Sequence, residues 1–451
     1  MGTINYSLSG MRDFNFLEVR KRNYIINNLT KLFELYGFSP LETPSMEKRS
    51  VLFGKYGDEG DKLIYQVLKS GNFLSKINDI NTQDYKELSN FISDKALRYD
   101  LTIPFARYVV QNSQDITFPF KRYQIQKVWR ADRPQKGRYR EFTQCDVDVI
   151  GSSSLWSECD LISIYSDFFN IIGLKNISLN INNRKILEGI FDSLDIKTDF
   201  TSFCISIDKI DKAGKEYFYD FLDQKKCSKV QSKLIAKLFE LKLSNSDKLQ
   251  YIKSNFINEK VNSGVEELLF ILDKTKSCKI DISIDFSLAR GIDYYTGSIF
   301  EVISKDKSIG SLGGGGRYDG LTKMFGKDLG SGVGISFGLE RIYMLLDEFN
   351  LFPKSINKST DVFFVNLGEK EACISQKFVN ILREKGISSE LFPDCVKLKK
   401  QMSYSNKKNS KYTAMIGEDE LNTGKINLRN MTTGDQELLT IDELIKKIKN
   451  E

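Results

Sequence analysis

Residues 140–150, REFTQCDVDVI, constrain the architecture of this chain more than any other stretch. Laid out as a strand, successive side chains point to opposite faces. Thr143, Cys145, Val147 and Val149 then share one face, which reads as ordinary core. Arg140, Phe142, Gln144, Asp146 and Asp148 share the other. At about 3.3 Å per residue, Phe142 to Asp148 spans roughly 20 Å, enough to lay out an elongated ligand of mixed polarity. The preceding loop, within VWRADRPQKGRYREFTQ (128–144), adds Arg130, Arg133, Lys136 and Arg138. A phosphate end would sit by these arginines and a polar tail by Asp148. A solvent-facing strand could carry scattered polar residues, but it would not need a ring and an amide at fixed spacing behind the cations.

The chain has 451 residues, more than one core usually organises, so two or three domains are expected. Net charge is +6, from 66 basic and 60 acidic residues, so any nucleic-acid surface must come from local clustering. No apolar run approaches membrane-spanning length, and MGTINYSLSG has no signal-peptide core. The seven cysteines are scattered without a CxxC pair, which reads as reduced thiols in a cytoplasmic protein. The sequence contains no histidine. That removes the usual general base and the commonest metal ligand, so no zinc site is expected. Any metal should be a hard ion, most simply Mg²⁺ carried by a phosphate substrate.

Residues 14–36 place Leu17, Ile25, Leu29, Leu32, Phe33 and Tyr36 at helical spacing, ended by Gly37. FSPLETPSME (38–47) follows as an extended segment. Residues 120–150 read as two strands around a charged loop, and 155–172 as a helix. Residues 195–275, rich in Lys, Asp, Ser and Leu, read as a mostly helical insertion. Strand pattern returns at 279–303, followed by SLGGGGRYDGL (311–321), taken as a glycine-rich turn, and a strand–helix at 332–349. The first domain is assigned to 1–350, a linker to 351–360 and a separate α/β unit to 361–451.

The loop and strand resemble motif 2 of class II aminoacyl-tRNA synthetases. FSPLETPSME is similar to motif 1, with Pro44 as its proline, and GVGISFGLER (332–341) to motif 3, ending in Arg341. ARGIDYYTGSIFE (289–301) resembles a signature that belongs, within this class, to the histidyl-tRNA synthetase family. LRYDLTIPFARY (97–108) resembles that family's amino-acid-binding segment, and 361–451 its anticodon-binding domain. The resemblance implies an α+β fold: an antiparallel catalytic sheet with flanking helices, a helical insertion and a C-terminal α/β domain. It also implies a homodimer, formed in part through motif 1.

The implied reaction is ATP-dependent ligation of L-histidine to tRNA(His). The histidine carboxylate attacks the α-phosphorus of ATP, and a terminal ribose hydroxyl of the tRNA then attacks the carbonyl of the adenylate. The first nucleophile is ionised at neutral pH, so catalysis is positioning and charge stabilisation rather than proton abstraction. By resemblance, Arg130 holds the α-phosphate and substrate carboxylate, and Arg290 approaches from the other side. Phe142 stacks on adenine opposite Arg341, Arg138 meets the outer phosphates, and Asp132 belongs to the ATP set. Asp100, Leu101, Thr102 and Gln144 belong to the histidine set, with Asp100, Thr102 and Gln144 taking the ammonium. Asp148, Tyr294 and Tyr295 face the ring nitrogens, although Asp148 stands where some members carry Glu. Such a site rejects side chains lacking the N–H by roughly 10⁴–10⁵, so no editing domain is required. Glu301 is a candidate Mg²⁺ ligand. The glycines at 313–316 serve either as a tight turn or as a close approach for substrate, and Asp146 is either structural or part of the site.

KLKKQMSYSNKK (397–408) gathers Lys397, Lys399, Lys400, Lys407 and Lys408 with Tyr404. It is either a tRNA-backbone contact or a solvated helix face. Two rivals to the ligase reading remain. A catalytically silent relative, like the regulatory subunit of ATP phosphoribosyltransferase, would typically lack the C-terminal domain and some arginines, yet Arg130, Arg290 and Arg341 are all present. A class II synthetase for another amino acid is disfavoured by RGIDYY and the carboxylate at 148.

Overall fold

The computed structural model describes residues 6–75, 77, 83–194, 196–240, 243–290, 295–307, 309–357 and 360–450. The chain divides into two compact units, Met1–Leu351 and Phe352–Glu451.

Among the described residues, the strands of the first unit are β1 (Ser39–Pro40), β2 (Met46–Lys48), β3 (Gln66–Val67), β4 (Lys95–Leu97), β5 (Phe120–Trp129), β6 (Glu141–Ile150), β7 (Ile177–Asn183), β8 (Asp281–Ile284), β9 (Ser298–Ser304), β10 (Gly313–Tyr318) and β11 (Gly332–Gly338). Eight form one sheet in the order β1-β5-β6-β11-β10-β9-β7-β8, while β2, β4 and β3 form a small three-stranded sheet. The large sheet is antiparallel from β5 through β7, with parallel pairs at its two ends.

One face of this sheet is core. Cys145 and Val147 are fully buried on it. The helix Phe16–Leu35 covers it with Ile25, Leu29, Leu32 and Phe33. Its start is fixed by a reciprocal cap: Asn15 Oδ1 accepts from the Leu17 and Glu18 amides at 3.0 Å, and Glu18 Oε2 accepts from the Asn15 amide at 2.8 Å. Its end is fixed by Gly37, at φ +76°. Phe337 of β11 sits amid Phe33, Tyr165 and Phe168, with ring centroids 5.8, 4.7 and 5.0 Å away. Tyr165 and Phe168 come from the helix Trp156–Ile171. The helical insertion runs from the helix Phe200–Asp208 to the helix Glu259–Lys274.

The glycine run departs from its reading as a turn. Gly313–Tyr318 is β10, a strand in the middle of the sheet, paired with β9 and β11. Glycine is unfavourable in a strand unless something must come close. Here the neighbouring strand does: a Cβ on Gly315 would lie 2.1 Å from the Gly334 carbonyl oxygen on β11. Four glycines in a row suggested a loop because composition reports flexibility and not crowding.

The second unit carries β12 (Val362–Phe364), β13 (Ser389–Leu391), β14 (Tyr412–Met415), β15 (Ile426–Asn430) and β16 (Gln436–Leu439) in the order β13-β12-β14-β15-β16. The sequence pattern pointed to the first four and missed β16, whose side chains are largely exposed. Val362, Phe364, Val379, Leu382, Tyr412 and Leu428 belong to one core. Among the described residues no helix is long and apolar enough to cross a membrane.

The close approach of β10 to β11 makes a stability prediction. Gly315→Ala forces two backbones apart and should cost about 1–3 kcal/mol, read as a lower midpoint in urea unfolding. Gly37→Ala, with open space around its Cβ, carries only the positive-φ penalty of about 1 kcal/mol. Equal stability of the Gly315 variant and the parent protein would show that the two strands have room to move.

Candidate functional site

The face of the sheet opposite the core holds two adjoining cavities. The larger, of about 290 Å³, is lined by Arg130, Asp132, Arg138, Phe142, Gln144, Ser311, Glu340 and Arg341, among others. The smaller, of about 120 Å³, is lined by Asp100, Thr102, Arg130, Gln144, Asp146, Asp148, Tyr295 and Tyr318, with Gly314, Gly315 and Gly334. Arg130, Gln144 and Ser336 line both. Four of the five residues in the row read from the sequence face these cavities: Phe142 opens onto the first, Gln144 stands at the junction, and Asp146 and Asp148 line the second, while Arg140 precedes the strand and donates to the Asp132 carbonyl instead.

Cations gather around the larger cavity. The Arg130 guanidinium lies 4.2 Å from the Tyr99 ring centroid and 5.2 Å from that of Phe142, and its Nε donates to the Tyr99 carbonyl at 3.1 Å. Arg138 forms an ion pair with Asp132. Arg341 Nη1 donates to the Ser311 carbonyl at 2.8 Å. Burial pushes the Arg341 pKa down, and Arg138 and Arg290 push it the same way. Arg341 with Arg138 in the recess and Arg290 near it, both acting against its charge, make a place for a polyanion. Glu340, beside Arg341, is clamped from the N-terminal side. Arg22 Nη1 donates to both its oxygens at 2.7 Å and Arg12 Nη2 to one at 2.7 Å, while Arg22 Nη2 reaches Thr143 Oγ1 at 3.0 Å.

Arg290 lines neither cavity. Its Nε is 3.3 Å from Asp208 Oδ1 of the insertion, its Nη1 donates to Ser311 Oγ at 2.5 Å, and it forms an ion pair with Glu301. Ser311 itself lines the larger cavity, so Arg290 stands at its rim. Glu301 is buried, and burial raises its pKa against the pull of Arg290 and the Ser311 hydroxyl. Held by Arg290 and the Ser311 hydroxyl, Glu301 would have to exchange these partners to meet a Mg²⁺ ion. Among the described residues no group of three or more His, Cys, Asp or Glu side chains could hold a metal.

The smaller cavity is acidic and rich in acceptors. Asp100 Oδ1 accepts from Tyr56 Oη at 2.8 Å and from the Ile103 amide at 3.2 Å. Burial raises its pKa while Tyr56 and Arg130 oppose the rise. Burial pushes Asp146 up to about 7, with Arg122 opposing and Asp148 adding to the shift. Gln144 Oε1 and Asp146 Oδ1 are buried and accept no hydrogen bond, so both can receive a donor from a ligand. Asp148 Oδ1 accepts from Tyr318 Oη at 2.7 Å, and Arg122 Nη2 lies 2.8 Å from Asp148 Oδ2. A Cβ on Gly334 would lie 1.9 Å from Asp148 Oδ1, so that glycine gives the carboxylate its room.

Some expected residues sit elsewhere. Leu101 is fully buried and lines neither cavity, because it lies between Asp100 and Thr102 at the start of the helix Thr102–Gln111 and turns into the core. Tyr294 lies outside the described residues. Tyr318, Arg122, Glu340 and Arg22 escaped the sequence reading. For Arg122 a signal was present: in KRYQIQ, Arg122, Gln124 and Gln126 alternate with Tyr123 and Ile125, and the ladder pairs them with Asp148, Asp146 and Gln144.

In the second unit, Lys397, Lys399, Lys400, Ser403, Tyr404 and Lys407 line an open recess of about 490 Å³ on the helix Leu398–Lys407. Lys408 is not part of it. Its Nζ donates to Glu390 at 2.7 and 2.9 Å and lies 5.1 Å from the Tyr404 ring centroid.

Comparison with known proteins agrees with this geometry. The family model for histidyl-tRNA synthetase matches residues 93–342, and the model for an anticodon binding domain matches 361–451. A relative from Christiangramia forsetii described as histidine–tRNA ligase is 46% identical over 448 residues, covering 98% of each chain. One from Bacteroides fragilis with the same description is 48% identical over 444 residues, covering 97% of each. The crystal structure of histidyl-tRNA synthetase from Nostoc superposes with a TM-score of 0.83 at 29% identity, covering 99% of this chain and 100% of that one. With a family model matching more than half of its length, and relatives of this identity along nearly all of it, the chain belongs to the histidyl-tRNA synthetase family of class II aminoacyl-tRNA synthetases.

Proposed function

We propose that the two joined cavities activate L-histidine with ATP and pass it to tRNA(His), with adenine in the larger cavity and the imidazole in the smaller. The observation that carries this reading is the junction: Arg130 and Gln144 line both spaces, where the α-phosphate and the substrate carboxylate must meet.

In this reading Phe142 and Arg341 enclose the adenine. Arg138 takes the outer phosphates, and Asp132 keeps its guanidinium in place. Arg130 forks between the α-phosphate and the histidine carboxylate. The carboxylate oxygen attacks the α-phosphorus, the bond to the β-phosphate oxygen breaks, and pyrophosphate leaves with the Mg²⁺ that ATP carries. Arg290 exchanges Glu301 and Asp208 for the charge developing on the α-phosphate, with its aliphatic stem as the moving part. Gln144, Asp100 and Thr102 receive the ammonium, and Asp148 with Tyr295 receives the ring. The 3′-terminal ribose hydroxyl of the tRNA then attacks the adenylate carbonyl, and AMP leaves. A dimer through the motif 1 segment and a cytoplasmic location belong to the same proposal, supported by the resemblance of FSPLETPSME and by the scattered thiols.

On the tRNA side, Lys397, Lys399, Lys400 and Lys407 contact backbone phosphates near the anticodon, with Tyr404 available for stacking. Lys408, tied to Glu390, contributes less than the other four.

Three measurements test this reading. ATP–pyrophosphate exchange should respond to histidine and to none of the other nineteen amino acids; exchange driven by another amino acid overturns the specificity, and exchange with none favours a silent relative. Arg290→Ala should slow adenylation by about 10²–10³-fold with histidine affinity largely kept, whereas near-normal turnover removes Arg290 from the mechanism. Lys397→Gln/Lys399→Gln/Lys400→Gln should flatten the slope of log K against log salt for tRNA binding by roughly 2–3, and an unchanged slope rules the patch out.

A further inference from the structure

Arg122 lies on β5, directly across the ladder from Asp148 on β6. Its side chain is 0% exposed. Nη2 stands 2.8 Å from Asp148 Oδ2, and the guanidinium carbon lies 4.1 Å from the centroid of the Phe105 ring. None of its three nitrogens makes an aligned hydrogen bond, so its hold on Asp148 is Coulombic. A cation sealed away with so few partners is unfavourable for folding, and an apolar side chain could fill the same volume. A charge kept in such a place points to a role in the adjoining cavity.

The groups around Arg122 fit that role. The titratable and charged side chains facing the pair are Asp146 and Asp148 on β6, Asp100 with its partner Tyr56, Arg130, Tyr318 on β10, Tyr295, and Tyr165 behind Asp146. Three of these are buried carboxylates: burial raises the pKa of each, and Arg122 opposes the rise in all three. Tyr318 Oη donates to Asp148 Oδ1 at 2.7 Å and Arg122 faces Oδ2, which leaves each oxygen a second lone pair.

We propose that Arg122 is a positioning residue for the amino-acid subsite: by holding Asp148 as an anion it commits the subsite to a neutral side chain bearing an N–H donor. Asp148 and Arg122 together carry no net charge, so a neutral imidazole enters without a proton from solvent and a second cation gains nothing. This rests on the reading that Asp148 meets the ring. Removing Arg122 leaves uncompensated negative charge in a buried place, and such sites take up a proton. The proton can arrive on the imidazole, on Asp148 itself or on Asp146, whose pKa Arg122 also lowers. In each case, the productive complex of an Arg122→Met variant holds one more proton than that of the parent enzyme, and loses it as pH rises.

The test is kcat/KM for histidine in ATP–pyrophosphate exchange across neutral and mildly alkaline pH, for Arg122→Met, Arg122→Lys, Asp148→Asn and the Arg122→Met/Asp148→Asn double variant. Asp146 titrates near neutrality in the parent, and losing Arg122 raises its pKa while losing Asp148 lowers it, so the parent and all four variants are compared in an Asp146→Asn background. Arg122→Met should raise KM for histidine by about 10–100-fold with KM for ATP within about threefold, and its profile should fall by about tenfold per pH unit above neutrality where the parent is level. Arg122→Lys keeps the charge and should keep the level profile. The double variant should be no worse than Asp148→Asn alone, because the two residues act as one unit. A parent-like profile with equal losses for histidine and ATP, or additive losses in the double variant, overturns the proposal. Should Arg122→Met fail to fold, a sloping profile in Arg122→Lys, or a double variant worse than Asp148→Asn, does so. An unchanged KM for histidine in Asp148→Asn instead defeats the subsite reading itself, whatever Arg122 does.

Discussion

The pleat of β6 governs the rest of the structure. Cys145, Val147 and Val149 face the core, and Phe142, Gln144, Asp146 and Asp148 form the floor of the two cavities. Because the period is two, the floor cannot shift by one residue without driving Asp146 and Asp148 into the apolar core. Each neighbour respects that. β5 supplies Arg122 opposite Asp148, and β11 supplies Gly334 where any side chain would strike the Asp148 carboxylate. Fixing one strand fixes the distance between the nucleotide end and the imidazole end.

Charge is divided along this floor. Arginines crowd the end where a polyphosphate belongs, and buried carboxylates with unpartnered acceptors line the end where a substrate N–H belongs. A histidine–tRNA ligase of this design works without a histidine of its own, because its nucleophile arrives ionised and the task at phosphorus is electrostatic. Before substrate arrives, the repulsion among Arg138, Arg290 and Arg341 is relieved in part by Asp132, Glu301 and the Ser311 carbonyl. These are oxygen ligands of the kind that phosphate can replace.

Features that depend on local spacing were legible in the sequence. The two faces of β6, the capped helix at the start and the lysine-rich helix follow from periods of two and 3.6. Features that depend on which strand lies beside which were not. Tyr318 was hidden because GGGGRY was read as a turn, although crowding against β11, and not flexibility, is what requires glycine there. Arg122 alternates visibly within KRYQIQ, yet its meaning depends on its pairing with Asp148, some 26 positions away in sequence. Arg12 and Arg22 converge on Glu340 from the far end of the chain. Leu101 was drawn in by adjacency: it neighbours site residues in sequence and turns into the core, while Lys408, beside the Tyr404 ring, is held by Glu390.

A crystal structure with a non-hydrolysable histidyl-adenylate analogue tests the central claim most directly. The adenine should lie between Phe142 and Arg341, the phosphate mimic against Arg130, and a ring N–H within hydrogen-bond reach of Asp148. An analogue bound with its imidazole turned away from Asp148, or with its adenine outside the Phe142 cavity, would contradict the account.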